Sequence, residues 1–327
     1  MTKRCTLKDI AQAANLTVNS ISKVFRDDKS ISKSTKERVR KIAEEMGYVP
    51  NYSASSLRTG KTNVVGVLYG NILNPYFSVM CSLVNDSLRR MGYTSMFFVE
   101  PSVSCMMEVD IARKMLAHNV DAVLTFMQPT DEVCEMLKKH KKPLVLIGRN
   151  CGNPYVDCVY SDDYKGGYIM GEYLADRGLH DIVMFGVNLQ CSELRFNGLK
   201  DALNSKGVDF DRKDVIRCTN ENCGTVVEKL VSSGRIPQAI FCFNDIMALE
   251  AQAYIRNNND ERVRKIEVTG YDNIHSHFNV FDKIVTIDTN KKQMADTAIE
   301  ILKNKLNGSA KRQQIMLDVQ LETGGIQ

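Results

Sequence analysis

The 327-residue chain has no tryptophan, only 7 prolines, and no C-x-x-C pair among its 10 cysteines. Without that pair, a zinc ribbon or a thioredoxin-like redox centre is not expected. Cys218 and Cys223 are the most closely spaced, and Cys81, Cys134 and Cys242 fall inside expected strands or helices, where a thiol behaves as a small apolar residue. Cys5 stands apart, in the basic N-terminal segment. His275 and His277 have no third ligand at a useful spacing, so they read as part of a polar loop. No metal and no cofactor is expected. Nowhere are there 18 consecutive apolar residues, which argues against a membrane-spanning helix. Met1-Thr2-Lys3-Arg4-Cys5-Thr6-Leu7-Lys8-Asp9 has neither an apolar stretch nor a small-residue cleavage site, so a cytoplasmic protein is expected.

What is present is an uneven charge. Residues 1–62 hold 13 Lys and Arg against 6 Asp and Glu, while residues 63–327 hold 30 against 33. A short cationic head on a slightly acidic body points to nucleic acid, because clustered cations release counterions from a phosphate backbone. Within the head, Thr6 and Asp9 form a capping-box pattern before Leu7, Ile10, Ala11 and Ala14, spaced as one helix face. Asn15 and Leu16 make a sharp turn, and Thr17 caps a second helix with Ile21, Val24 and Phe25 inward and Val18, Asn19, Ser20 and Lys23 outward. After a polar loop from Arg26 to Ser30, Ser34 and Glu37 suggest a second capping box, with Val39, Ile42, Ala43 and Met46 striping a third helix that ends at Gly47. The sum is a three-helix head containing a helix-turn-helix.

From Val64 onward, short apolar runs alternate with helical stretches, the pattern of α/β layers around parallel sheet. Strands are expected at Val64 to Tyr69, Thr94 to Val99, Ala122 to Phe126, Leu144 to Gly148, Ile182 to Gly186, Ala239 to Phe243 and Ile266 to Tyr271. Helices are expected at Tyr76 to Met91, Tyr164 to Arg177, Leu194 to Lys206 and Ile246 to Arg256. So long a body is expected to split into two lobes with a ligand cleft at the carboxyl ends of the strands. Gly60-Lys61-Thr62 has the ending of a phosphate-binding loop, but Ser55 stands where its first glycine belongs and a strand follows instead of a helix. Nucleotide hydrolysis is not expected. An enzyme on a two-lobed fold is the competing class, yet neither a nucleophile elbow nor G-x-G-x-x-G after a strand occurs.

The segments TLKDIAQAANLTVNSISKVF, SKSTKERVRKIAEEMGYVPN and ASSLRTGKTNVVGVL, in that order and spacing, resemble the LacI/GalR family of transcription regulators. The resemblance implies a helix-turn-helix domain over 1–50, a hinge helix and linker over 51–63, and an effector-binding and dimerisation domain over 64–327 built on the two-lobed, type I periplasmic-binding-protein fold. It implies lobe crossings near Tyr160, Asp288 and Leu317. It makes the second helix the recognition helix, with Thr17, Val18, Asn19, Ser20 and Lys23 at the major groove. Asn pairs well with adenine and Lys with guanine, so the residue types suit that role. Asn51, Ala54 and Leu57 would belong to the hinge helix, Leu57 being a minor-groove wedge.

For the effector, the resemblance implies Arg195, Asn244 and Asp272 as a clamp, with Asn74, Tyr76 and Phe77 at the opposite lip of the cleft. The chemistry suits a polyol: Arg donates from a fork, Asp accepts, and Asn does both. Asp245 is expected to cap its helix, and Asp162 to be structural. The polar stretch Asn257 to Arg264 reads as a mobile loop. With no C-terminal heptads, a homodimer is expected and a coiled-coil tetramer is not. The expected function is a repressor of carbohydrate genes acting on pseudo-palindromic operator DNA under a sugar-like effector. The alternative is a regulator with a purine or another metabolite as corepressor.

Overall fold

The structure, a computed structural model, describes residues 5–48, 61–71, 73–100, 105–278 and 281–324. The chain forms two compact units, Met1–Thr62 and Asn63–Gln327. Asn51, Ala54 and Leu57, expected in a hinge helix, lie outside the described residues.

In the first unit, helices Leu7–Ala14, Val18–Phe25 and Lys33–Glu45 enclose Ile10, Ala11, Ala14, Ile21, Val24, Val39 and Ala43. The Thr6–Asp9 capping box is formed, with the Thr6 N–H donating to Asp9 Oδ2 at 2.8 Å. Asn15 closes the first helix in the left-handed conformation, φ 51°, which lets the chain reverse within two residues. The third helix differs from expectation at both ends. Its N-cap is Ser32, whose hydroxyl accepts from the Thr35 N–H at 3.2 Å, so Ser34 lies inside the first turn instead of capping it. Met46 is 37 % exposed, because it falls one residue past the last helical turn.

The second unit has two lobes. One is built on a six-stranded parallel sheet in the spatial order Gln314–Leu317, Asp157–Ser161, Leu144–Ile147, Ala122–Thr125, Val64–Tyr69, Thr94–Val99. The other is built on four parallel strands in the order Glu267–Thr269, Ala239–Cys242, Ile182–Gly186, Val215–Arg217. Each sheet is buried on both faces, which explains why their central strands read as continuous apolar runs. A short antiparallel pair, Thr286–Asp288 with Gln320–Glu322, completes the second lobe. Sequence periodicity did not reveal Asp157–Ser161, Val215–Arg217, Gln314–Leu317 or this pair, which are short and carry polar residues.

The chain passes between lobes three times. Ser161 ends a strand of the first lobe and Asp163 begins a helix of the second. Ile287 packs in the second lobe's core while Met294 packs in the first, and Leu317 and Val319 divide the same way. The expected mobile stretch 257–264 contains a short helix, Glu261–Arg264, capped by Asp260, whose carboxylate accepts from the Arg262 N–H at 2.8 Å.

Helices Asp163–Asp176 and Gln190–Ser205 touch backbone to backbone. A Cβ added at Gly198 would lie 1.9 Å from the Tyr164 carbonyl oxygen, and one at Gly167 2.0 Å from that of Arg195. Only glycine permits this approach, and it sets Asp163 against Arg195.

Candidate functional site

A cavity of about 580 Å³ separates the lobes. Asn74, Tyr76, Phe77 and Arg149 line it from the first lobe, Cys191, Arg195, Asn244 and Asp272 from the second, and Ser161 and Thr289 at the crossings. All six residues expected at the cleft, Asn74, Tyr76, Phe77, Arg195, Asn244 and Asp272, are thus brought to one cavity. They do not all present the groups expected of them.

Arg195 is 6 % exposed and largely engaged by protein. Its Nε donates to Asp163 Oδ1 at 2.8 Å, its Nη1 to the Phe243 carbonyl at 2.5 Å, and its guanidinium lies 3.4 Å over the Tyr271 ring centre. Burial works against the charged guanidinium and is the largest single influence, but Asp163, Tyr271, Cys191 and Asp272 together outweigh it and hold Arg195 above its ordinary pKa range. Asn244 is the N-cap of the Asp245–Arg256 helix, its Oδ1 accepting from the Met247 N–H at 2.8 Å. Its carbonyl is spent on the cap, so its amide NH₂ is the group left for a ligand.

Asp245 does not cap that helix. It is fully buried, accepting from the Ile274 N–H at 2.7 Å and the Thr286 hydroxyl at 2.6 Å, and so ties the turn after Glu267–Thr269 to the strand Thr286–Asp288. Burial, reinforced by the nearby Asp272 charge, pushes its carboxyl up to about 8. Asp272 occupies this turn with φ 109°, an unfavourable angle for a residue with a Cβ. Lys291, only 2 % exposed, holds the turn by donating to the Asp272 and Asn273 carbonyls. The Asp272 carboxylate itself makes no hydrogen bond or ion pair among the described residues. Burial pushes it up to about 7, opposed by Arg195 and Lys291.

On the opposite wall, Asn74 caps the helix Pro75–Arg90, its Oδ1 accepting from the Tyr76 N–H at 3.0 Å. Phe77 is held in an aromatic cluster with Tyr69 and Phe126, at ring separations of 6.3 and 5.6 Å. Tyr76 packs edge-on to Phe77, and burial, then the Asp272 charge across the cavity, raises its hydroxyl above the usual range. Asp162 caps the helix Asp163–Asp176 of the second lobe, accepting from the Lys165 N–H at 2.9 Å.

Four residues here escaped sequence reasoning. Arg149 follows the strand Leu144–Ile147, so the rule that strand ends face the cleft could have found it. Lys291 begins a stripe with Met294, Ala295 and Ala298, whose helical spacing marks it as inward-facing. Asp163 and Thr289 carry no such signal. Thr289 is 2 % exposed and its hydroxyl has no partner among the described residues. All ten cysteines are free thiols, and six are buried.

In the head, Thr17, Val18 and Asn19 are exposed and Ser20 and Lys23 half-buried on one helix. Thr17 Oγ1 accepts from the Ser20 N–H at 3.1 Å, and Lys23 Nζ donates to Ser30 Oγ at 3.3 Å. Val18, 44 % exposed, is a large apolar side chain left in water on a cationic unit. This juxtaposition fits a surface that meets base edges and thymine methyls.

The chain matches the family described as bacterial regulatory proteins, lacI family, over residues 6–51. Over residues 62–319 it matches that described as periplasmic binding proteins and sugar binding domain of LacI family. It is 29 % identical over 329 residues to the HTH-type transcriptional regulator MalR of Clostridium butyricum, covering 96 % of this chain and 97 % of that one. It is 28 % identical over 309 residues to the HTH-type transcriptional repressor PurR of Vibrio atlanticus (strain LGP32), covering 92 % of each. Its fold is similar to that of the lac repressor dimer bound to operator and the anti-inducer ONPF, at TM-score 0.81 and 20 % identity over 98 % of both chains. With both family matches in register with its two units, the chain belongs to the LacI family of bacterial regulatory proteins and is a DNA-binding transcription regulator.

Proposed function

We propose that the protein is a dimeric repressor, acting in the cytoplasm, whose affinity for a pseudo-palindromic operator is set by a sugar-like effector held between the lobes. Its role is regulatory and not catalytic. Residues 1–50 read DNA through Thr17, Val18, Asn19, Ser20 and Lys23. Residues 51–63 form the hinge, with Asn51 and Ala54 at the DNA and Leu57 as the wedge, and 64–327 bind effector and dimerise. The observation that carries the reading is the cavity lined from both lobes, with a ring-stacking wall at Tyr76 and Phe77 and polar groups at Arg195, Asn244 and Asp272. A ligand bridging the two walls favours one lobe arrangement, and coupling to the operator follows if that arrangement changes the separation of the two hinges. Coupling is reciprocal: whatever factor effector imposes on operator affinity, operator imposes on effector affinity.

A second reading, consistent with a relative described as a transcriptional repressor, has a purine or another metabolite that strengthens DNA binding. The sign of the effector's effect on operator affinity separates the two. The test is a thermal-shift screen against sugars, phosphosugars and purines, followed by operator titration with any hit. A ligand at 100 times its Kd adds about 2.7 kcal/mol to stability, which such a screen detects. Asp272→Ala should abolish the response while keeping operator affinity. A normal response midpoint in that variant would remove Asp272 from the clamp. Leu57→Ala should lower operator affinity and DNA bending with effector binding intact, and unchanged bending would rule out the wedge.

A further inference from the structure

Three charged groups on the cavity wall, Arg149, Glu221 and Asp272, have no ion-pair partner among the described residues; Glu221 is exposed and hydrogen-bonded to Thr219, which leaves Arg149 and Asp272. Arg195 is neutralised by Asp163 at 2.8 Å, and Arg217 lies 3.8 Å from Glu193. By contrast, the half-buried guanidinium of Arg149 makes no ion pair or hydrogen bond among the described residues, and neither does the Asp272 carboxylate. Arg149 comes from the first lobe and Asp272 from the second. Half-buried Arg149 lines the same cavity as Tyr76 of the first lobe and Cys191 of the second, and its charge is felt by both. Thr289, 2 % exposed at a lobe crossing, adds to the same cavity lining a hydroxyl without a partner among the described residues.

An unpaired guanidinium inside a low-dielectric cavity is matched best by an anion, since carboxylate and phosphate accept two parallel N–H bonds from its planar fork. A neutral hydroxyl accepts from it but cancels no charge. Asp272 accepts donors and repels an anion, so it fixes which end of a ligand meets which wall. We infer that the effector is an acidic sugar, a polyol whose carboxylate or phosphate is held by Arg149 while its hydroxyls donate to Asp272. This inference rests on the proposal that the cavity binds a sugar-like effector, and it narrows that proposal to one charge class.

The test is isothermal titration, at fixed ionic strength, of the full-length protein with glucuronate, galacturonate, glucose 6-phosphate and fructose 6-phosphate, and with their neutral parents glucose, galactose and fructose. At least one acid should bind at least about tenfold more tightly than its parent, a difference of about 1.4 kcal/mol. Which arm responds, uronate or phosphosugar, names the anion. Arg149→Met should erase the preference for the acid, while Asp272→Asn should weaken acid and parent together. The wild-type comparison of acid with parent stands even if a variant folds poorly. A parent binding as tightly as its acid, a preference surviving in Arg149→Met, or no binding by any acid each overturns the inference. If a neutral sugar binds and Asp272→Asn loses it, the effector site stands and only the acidic class fails. If these acids and neutral sugars, and the purines of the thermal-shift screen, all fail to bind, the effector reading falls with it.

Discussion

Arg195 and Asp163, on helices that approach closely enough to require glycine at Gly167 and Gly198, form a buried ion pair at 2.8 Å in which neither side chain exposes a tenth of its surface. The pair does not stand alone, because the Arg195 guanidinium also lies 3.4 Å from the Tyr271 ring centre and 4.6 Å from that of Phe243. Arg195 thus behaves as a structural cation, with Nε and Nη2 on Asp163 and Nη1 on the Phe243 carbonyl.

Removing one partner should therefore cost more than a surface ion pair would. Asp163→Leu leaves the guanidinium buried and uncompensated, and about 3 to 5 kcal/mol of stability should be lost. Chemical denaturation of the wild type and the variant measures this. A loss below about 1 kcal/mol, the range of exposed pairs, would show that Arg195 relaxes into water.

The helix approach makes a second demand. Gly198→Ala places a methyl group 1.9 Å from the Tyr164 carbonyl, so the helices must separate. Stability should fall by about 3 kcal/mol, at the upper end of ordinary overpacking. Ala at Gly207, where nothing lies within 4 Å but φ is +79°, controls for backbone strain without a clash. Equal melting temperatures for the Gly198→Ala and Gly207→Ala proteins would contradict the close contact.

Proton linkage supplies a third expectation. Asp272 and Asp245 are raised to about 7 and about 8 in the folded chain from an ordinary value of 3.8. Between pH 4 and 8, the native state therefore binds more protons than the unfolded chain. The stability associated with the protonated carboxyls is fully present below the unfolded pKa and is lost as pH rises through 7 and 8. Melting temperature without ligand should decline from pH 6 to 8.5. Asp272→Asn should flatten that decline, by roughly 1 to 2 kcal/mol over the interval. An unchanged slope in Asp272→Asn would mean the carboxyl ionises freely in an open cleft.

On the proposed recognition helix, Lys23 rests on Ser30 at 3.3 Å, a weak hold open to exchange for a base edge. Lys23→Ala should lose discrimination at one base pair per half-site, about 1 to 3 kcal/mol each. Competition binding with operator variants reads this directly. If all sequences weaken equally, Lys23 contacts phosphate instead.

Local sequence determined what depends on neighbours in the chain. The first helix of the head begins and ends where Thr6, Asp9 and Asn15 dictate, and the second begins at Thr17, because caps act over three residues. Central strands such as Val64–Tyr69 and Ile182–Gly186 were legible because burial on both faces leaves an unbroken apolar run. Where local signals competed, as between Ser32 and Ser34, sequence pattern chose wrongly. Tertiary structure decided which polar groups are spent and which are free. Asn244 and Asp245 are adjacent, yet the first caps a helix and the second is buried against Thr286, 41 residues away. Asp163 reaches Arg195 across 32 residues, and Lys291 reaches the turn at Asn273 across 18 only because the chain crosses between lobes. No spacing rule encodes such partners, since a side chain's hydrogen bonds and burial are set by whatever the fold places opposite it.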